Sequence, residues 1–318
     1  MRIGIVGVGA IGGFLAGALA RANVPVAVVA RGTHLAAIRR NGLQIHSDIG
    51  SFKIALDAGD DVRQLGEFDF LLLTFKAHQW PALLPQLRAF AGSRTVVVTL
   101  QNGVPFWYVR QPPLHSVDPG GAVGRCFPDT QVLGGVVHVS GQVVAPGVVA
   151  QSGGLRYVIG SPLGGEDARV AELVEVLCAA GLAAEVDQDV RATVWLKLVN
   201  NVGLNTVSAL RRMTIRPMLA DPAARAEVRA LMIEALRVGQ SIGAVGDADV
   251  DARIAYAARL DDVKTSMLQD LERRRELEIE PIVGAVVELA ERNRIAIPGI
   301  DEAYAALRRL GRNDVANG

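Results

Sequence analysis

The feature that most constrains this chain is a Gly-x-Gly-x-x-Gly run near its start, Gly7-Val8-Gly9-Ala10-Ile11-Gly12. Glycine is common here, 34 of 318 residues, so the spacing alone says little. Its setting says more. Residues 3–6 read as a short buried strand and residues 10–21 as a helix rich in small side chains. A glycine loop between strand and helix is the phosphate-binding turn of a dinucleotide domain. Gly7 permits the tight turn, Gly9 lets the backbone approach a pyrophosphate, and Gly12 allows close helix–strand contact. The first turn of helix 10–21 adds free N–H groups and a partial positive charge. Arg2, the apolar run and Ala18-Leu19-Ala20 also imitate a secretory signal. Six glycines at positions 4, 7, 9, 12, 13 and 17 suit strand, turn and helix better.

The pattern continues. Residues 3–6 and 26–30 are unbroken apolar runs, as expected for parallel strands covered on both faces, and residues 68–74 and 95–100 repeat the pattern around Phe70-Leu71-Leu72-Leu73 and Val96-Val97-Val98. A helical stretch at 83–90 separates the last two. Alternating strand and helix means right-handed crossovers and a doubly wound α/β sheet of Rossmann type. Residues 104–129 carry five prolines among aromatics and glycines and read as a long loop, a class that is often functional or mobile. Short strand-like runs follow at 136–139, 143–144, 156–159 and 183–186, with a helix at 168–180. From about residue 189 the pattern is helical, over 190–210, 223–242, 252–274, 281–293 and 300–310. The expected organisation is a Rossmann domain over 1–188 and an all-helical domain over 189–318.

The end of the second strand reads the ribose. Sites that prefer NAD carry an acid there to bond the 2′-hydroxyl. This chain has Arg31, in Ala30-Arg31-Gly32-Thr33-His34. A guanidinium can grip a 2′-phosphate with two hydrogen bonds, so the expected cofactor is NADP(H), with Thr33 as a helper. Ligands of open α/β sheets sit beyond the carboxyl ends of the strands. Lys76 after one strand and Asn102 after the next are therefore placed to meet cofactor and substrate.

A second constellation lies on the helix over 190–210. Lys197, Asn201 and Asn205 are spaced i, i+4 and i+8 and share one face, while Trp195, Leu196, Leu198, Val199, Val202 and Leu204 are apolar. A polar stripe on an apolar helix faces solvent or lines a polar cleft. Asparagine is a poor helix former, which favours the cleft. A lysine there can act as general acid to a carbonyl oxygen and stabilise the developing alkoxide.

Charge excludes other classes. The chain has 33 basic and 33 acidic residues, so no overall basic field favours nucleic acid. Cys126 and Cys178 form neither a metal-ligand pattern nor a disulfide framework, and a reducing cytoplasm is the default. No stretch is long and apolar enough to span a bilayer, and no metal is expected.

Taken together, the chain resembles the ketopantoate reductase (2-dehydropantoate 2-reductase) family. The resemblance runs nearly end to end and is carried by the glycine loop, Arg31, Lys76, Gln101-Asn102-Gly103, the Lys197–Asn201–Asn205 helix, Ser266-Met267-Leu268-Gln269-Asp270, Glu278, Gly284 and Ile297-Pro298. It implies NADPH-dependent reduction of an α-keto acid to a 2-hydroxy acid. On that likeness Lys197 is the general acid, and Asn201, Asn205 and Ser266 contact the substrate. Asn102 sits between substrate and nicotinamide, and Glu278 lies near the cofactor and supports proton handling. Members are often monomers or homodimers. Three departures bear on the substrate: the aromatic loop over 104–129, the Arg273-Arg274-Arg275 run before Glu278, and Arg211-Arg212 where the family carries a further asparagine. An added arginine fits a larger or more anionic 2-keto acid. A non-catalytic NADP-binding sensor is the alternative from another class.

Overall fold

The computed structural model describes residues 1–259 and 262–316, with the side chains of 312–316 left aside. The chain divides into two compact units. The first contains Met1–Gln101 and Ala122–Val190; the second contains Asn102–Gly121 and the chain from Arg191 onward. Residues 102–121 therefore belong with the helical unit, whereas the sequence assigned them to the dinucleotide-binding one.

The first unit is a ten-stranded sheet flanked by helices. Its elements are β1 (Ile3–Val6), α1 (Ala10–Arg21), β2 (Val26–Val29), α2 (Gly32–Asn41), β3 (Leu43–Ser47), β4 (Gly50–Ile54), β5 (Asp57–Gly59), β6 (Phe70–Leu73), α3 (Trp80–Leu87), β7 (Val96–Thr99), α4 (Ala122–Cys126), β8 (Val132–Ala145), β9 (Val148–Gly160), α5 (Ala168–Ala179) and β10 (Ala183–Asp187). The strand order is β4-β3-β9-β8-β7-β6-β1-β2-β5, with β10 also on β9. β7-β6-β1-β2-β5 is the parallel Rossmann core, in register at Val6↔Val29, Val6↔Leu73 and Leu73↔Thr99. β1, β2, β6 and β7 are buried at every position. That burial on both faces is why their sequences are unbroken apolar runs.

Two antiparallel pairs, β3–β4 and β8–β9, extend this core. The short runs expected at 136–139 and 143–144 are parts of the single long β8, whose pairing with β9 shifts register between His138 and Ser140 and again between Val143 and Ala145. The small side chains of α1 let it lie close on this extension. A Cβ at Gly13 would stand 2.8 Å from Val149, and one at Gly17 would stand 2.5 Å from Ile45.

The second unit is helical: α6 (Val190–Asn200), α7 (Thr206–Arg211), α8 (Ile215–Ala220), α9 (Pro222–Ser241), α10 (Val250–Arg259), α11 (Ser266–Glu272), α12 (Ala285–Asn293) and α13 (Pro298–Ala316). The helix expected over 252–274 is two helices. Thr265 starts the second, its hydroxyl accepting the Leu268 N–H at 3.2 Å. The helix expected over 190–210 is interrupted by a π turn at Asn201–Asn205, and a second π turn, Glu280–Gly284, leads into α12.

The stretch 102–121 is a strap built into this unit. Phe106, Trp107 and Tyr108 are each 2% exposed, which makes them core rather than a mobile aromatic loop. Tyr108 donates its hydroxyl to Arg191 O at 2.8 Å, and the Arg191 guanidinium lies over the Tyr108 ring and donates back to Tyr108 O. Farther along, Glu288 of α12 accepts from His115 N, Ser116 N and Ser116 Oγ, and Arg292 donates to Pro112 O and Pro113 O at 2.7 Å. Burial alone would raise the Glu288 carboxyl, but these donors and Arg292 hold it below the usual glutamate value.

Candidate active site

In the first unit, the parallel register gathers the carboxyl ends of β1, β2, β6 and β7 at one edge of the sheet. The chain leaves β1 into the glycine loop. Gly7 has φ +102°, and a Cβ there would stand 2.5 Å from Phe75 N. A Cβ at Gly12 would overlap both Gly7 O and Thr74 Oγ1. Thr74 donates its hydroxyl to Gly7 O at 2.7 Å and so ties the loop to the end of β6. Gly9 occupies the N-cap of α1 without a side-chain cap, and a Cβ there would meet nothing within 4 Å. The space before α1 is thus open, bounded by Val8, Ala10 and Ile11, at a helix end suited to an anion. The cradle has the form a pyrophosphate needs.

Arg31 follows β2 as the N-cap residue of α2; both it and Thr33 are exposed. Lys76 is half-buried at the start of the short turn after β6. His34, three residues after Arg31, belongs to no sequence motif. Its Nδ1 accepts the Gly147 N–H at 3.0 Å from the β8–β9 turn. Burial lowers its pKa, opposed by the Val8 backbone, and the bond ties the loop after β2 to the β8–β9 turn.

In the second unit, Lys197 Nζ donates to Asn102 Oδ1 at 2.9 Å. Two residues 95 positions apart in the chain, both chosen from sequence, are thereby joined. Desolvation lowers the Lys197 pKa from 10.5 to about 8, while the negative charge of Glu278 works in the opposite direction. Glu278 itself is 8% exposed. The strap holds Asn102 in place: Val104 donates to Pro281 O at 2.8 Å, and Gly103, with φ +83°, lies so close to Pro281 that a Cβ would overlap its carbonyl oxygen.

The two π turns pack against each other, one just after Lys197 and the other just after Glu278. The first also changes the phase of the polar stripe. Eight residues of undistorted α-helix turn through about 800°, which would leave Asn205 about 80° from Lys197. A π turn holds about one residue more, roughly 100° less accumulated rotation, and so returns Asn205 to within about 20° of the lysine. Asn205 is buried and Asn201 half-buried, and neither amide has a hydrogen-bond partner among the described residues. Ser266, exposed at the start of α11, likewise has none, and α11 packs on the same π turn. A basic nitrogen with a depressed pKa, a buried carboxylate and three uncommitted polar side chains can hold and protonate a small polar carbonyl compound.

Arg211 does not supply free positive charge here, because it pairs with Glu227 at 2.7 Å. Arg212 caps the end of α7 with φ +52° and is exposed. Arg273, Arg274 and Arg275 are exposed in the link between α11 and Glu278. Among the described residues no cluster of His, Cys, Asp and Glu could hold a metal ion, and no helix is long and apolar enough to cross a membrane.

Comparison with known proteins gives one answer along most of the chain. The model of the family described as "Ketopantoate reductase PanE/ApbA" matches residues 3–164, and that of its C-terminal domain matches residues 189–311. A curated relative in Mesorhizobium japonicum, named 2-dehydropantoate 2-reductase, is 41% identical over 318 residues, covering 98% of each chain. A crystal structure from Ralstonia solanacearum superposes with a TM-score of 0.92 at 34% identity, covering 98% of each chain. D-mandelate dehydrogenase, solved with NADH and anilino(oxo)acetate, shares the fold with a TM-score of 0.87 at 20% identity, covering 99% of each chain.

Proposed function

The chain belongs to the ketopantoate reductase family of oxidoreductases, and from that premise we propose that it reduces the keto group of 2-dehydropantoate to pantoate with NADPH. The observation that carries this reading is the bond between Lys197 and Asn102 on a lysine whose pKa lies near 8. At neutral pH such a lysine is charged, yet far readier than an ordinary lysine to give up its proton.

The bound cofactor supplies the hydride. The chain's own residues do the rest. Amides of Gly9, Ala10, Ile11 and Gly12 at the start of α1 hold the pyrophosphate, and Gly7 and Val8 shape the loop beneath it. Arg31 takes the 2′-phosphate, which is the basis for choosing NADPH over NADH, and Thr33 assists. Lys76 and Asn102 contact the cofactor. Lys197 donates a hydrogen bond to the keto oxygen, then passes its proton as negative charge develops there. Asn102 Oδ1 aims the ammonium, and Glu278 keeps it protonated despite burial. Asn201, Asn205 and Ser266 orient the substrate through hydrogen bonds they do not make elsewhere. The lysine ends neutral and is reprotonated when product leaves. Both cysteines are free, and Cys178 is exposed, which suits work in a reducing cytoplasm.

A second reading keeps the chemistry and changes the 2-keto acid. It is favoured by Arg212 and by the Arg273–Arg275 run, where the chain departs from the family pattern; Arg211, in the same departure, is already paired with Glu227. A non-catalytic NADP-binding sensor has no use for the Lys197–Glu278 pair. Turnover measured with NADPH against a panel of 2-keto acids separates the three. 2-Dehydropantoate should be reduced most efficiently. Turnover of another acid with none on 2-dehydropantoate establishes the second reading, and cofactor binding without any turnover establishes the sensor.

A further inference from the structure

Arg253, on α10, is a half-buried cation beside the catalytic helix. Its Nη1 lies 3.5 Å from Leu196 O and 3.5 Å from Asn200 Oδ1, at the outer limit of hydrogen bonding. These residues flank Lys197 in the chain, so the guanidinium lies against the helical turn that carries the lysine. Arg253 pairs with no carboxylate among the described residues. The nearby acids are committed elsewhere. Asp251 binds Arg229 at 2.8 Å, and Asp249 Oδ1 accepts the Ala252 N–H at 2.9 Å.

The chain's structural arginines look different. Arg292 reaches Glu288, Pro112 O and Pro113 O at 2.6–2.7 Å, and Arg211 reaches Glu227 at 2.7 Å. Their donors are spent on short bonds, whereas those of Arg253 are held in reserve. Burial also lowers the Arg253 pKa, the cost of keeping a charge partly out of water without a counter-ion. A position that carries this cost beside a reaction centre is suited to an anion that arrives from solution.

We infer that Arg253 is the carboxylate-recognition residue of the substrate site, taking the anionic end of a 2-keto acid whose keto oxygen is bound by Lys197. This rests on the functional reading above and deepens it. The division of labour follows from shape. Guanidinium is a planar fork that matches a planar carboxylate bidentately, and ammonium is a point charge suited to one oxygen. A 2-keto acid presents both groups on adjacent carbons. Because its present contacts are long, Arg253 can turn towards the ligand without breaking a strong bond. It would also select acids over esters, lactones and amides, since a neutral group leaves the guanidinium unpaired.

The test compares wild type with Arg253→Gln and Arg253→Lys, each loaded with NADP+ and shown by thermal melting to be folded. Calorimetry measures the affinity for oxamate, a carboxylate beside a carbonyl, and for its neutral diamide, oxamide. The Gln variant should lose about 10–100-fold in oxamate affinity, the scale of charge-assisted hydrogen bonds. Oxamide affinity, and NADPH affinity titrated on the cofactor-free proteins, should stay within about threefold, and the Lys variant should fall between for oxamate. Wild type that does not bind oxamate, a Gln variant that binds it as well as wild type, or one that loses oxamate and oxamide equally overturns the assignment. Turnover of 2-dehydropantoate by wild type is scored separately. Its absence, with oxamate binding still dependent on Arg253, sinks the reductase reading and leaves the carboxylate site standing.

Discussion

The lysine at the centre of this account predicts a specific pH dependence. Reduction needs Lys197 protonated, and its pKa is lowered from 10.5 to about 8. That difference corresponds to about 3 kcal/mol of net cost for holding the charged ammonium in its site. Desolvation is the dominant cause, and it outweighs the attraction of Glu278. With 2-dehydropantoate and NADPH, kcat/KM should be level below about pH 8. Above it, the value should fall about tenfold per pH unit, because this parameter reports the free enzyme. Glu278→Gln keeps the side-chain shape and removes the charge that supports the ammonium. Loss of a close opposite charge moves a pKa by about 1–3 units, so the break should shift down to about pH 7 or below. At pH 6 the variant should recover much of the rate it loses at pH 8. A wild-type profile level through pH 9.5 would refute the assignment of the proton to Lys197. An unchanged break in Glu278→Gln would refute the coupling between the two residues.

Three further outcomes follow from particular atoms. Arg31→Ala should weaken NADPH binding by about 10–100-fold and NADH binding by less than about threefold, measured by fluorescence titration; equal losses rule out a 2′-phosphate role. Gly103→Ala should destabilise the protein by about 1–3 kcal/mol in denaturant melts, because the new methyl meets the Pro281 carbonyl oxygen at a backbone with φ +83°. The Lys197 shift is also a stability statement. The folded pKa lies below the unfolded one, so the penalty is fully present below about pH 8 and fades as pH rises towards 10.5. In a Glu278→Gln background, where the pKa falls to about 7 or below, adding Lys197→Met should therefore stabilise the fold by about 4–5 kcal/mol at pH 7 and much less at pH 10.5, in urea titrations at both pH values.

Much of this architecture is legible in the sequence wherever the determinants are close together in the chain. Ile3–Val6, Val26–Val29, Phe70–Leu73 and Val96–Thr99 announce themselves because burial on both faces demands continuous apolar residues. The glycine loop is readable because three sterically constrained positions fall within six residues. The hairpin β3–β4 is harder to see. Only Leu43 and Ile45 are fully buried on it, so polar residues such as Gln44 and His46 dilute the signal. The strap over 102–121 misleads in the other direction. Its prolines and irregular backbone read as a loop, while Phe106, Trp107 and Tyr108 are core side chains of the helical unit.

The site divides in the same way. Lys197, Asn201 and Asn205 stand out as polar residues on an apolar helix, but the i, i+4, i+8 spacing does not disclose the π turn that brings Asn205 back towards Lys197. Arg253 is invisible to motif reading. It stands more than 50 positions beyond Lys197 in an ordinary helical sequence, and only the fold sets it against Leu196 and Asn200. Glu288 and Arg292 are similar: in sequence they form an i, i+4 surface ion pair, and in the structure they fasten the strap that carries Asn102.

The claim on which the rest depends is that this protein moves a hydride from NADPH to the keto carbon of a 2-keto acid. NADPH carrying two deuterium atoms at nicotinamide C4, incubated with 2-dehydropantoate and one equivalent of enzyme, tests it directly by mass spectrometry of the product. The account predicts pantoate with one deuterium on the carbinol carbon, formed by wild type and slowed by 10²–10⁴-fold (an order-of-magnitude range) in Lys197→Ala. Unlabelled pantoate, no pantoate at all, or a Lys197→Ala rate within about tenfold of wild type would contradict it.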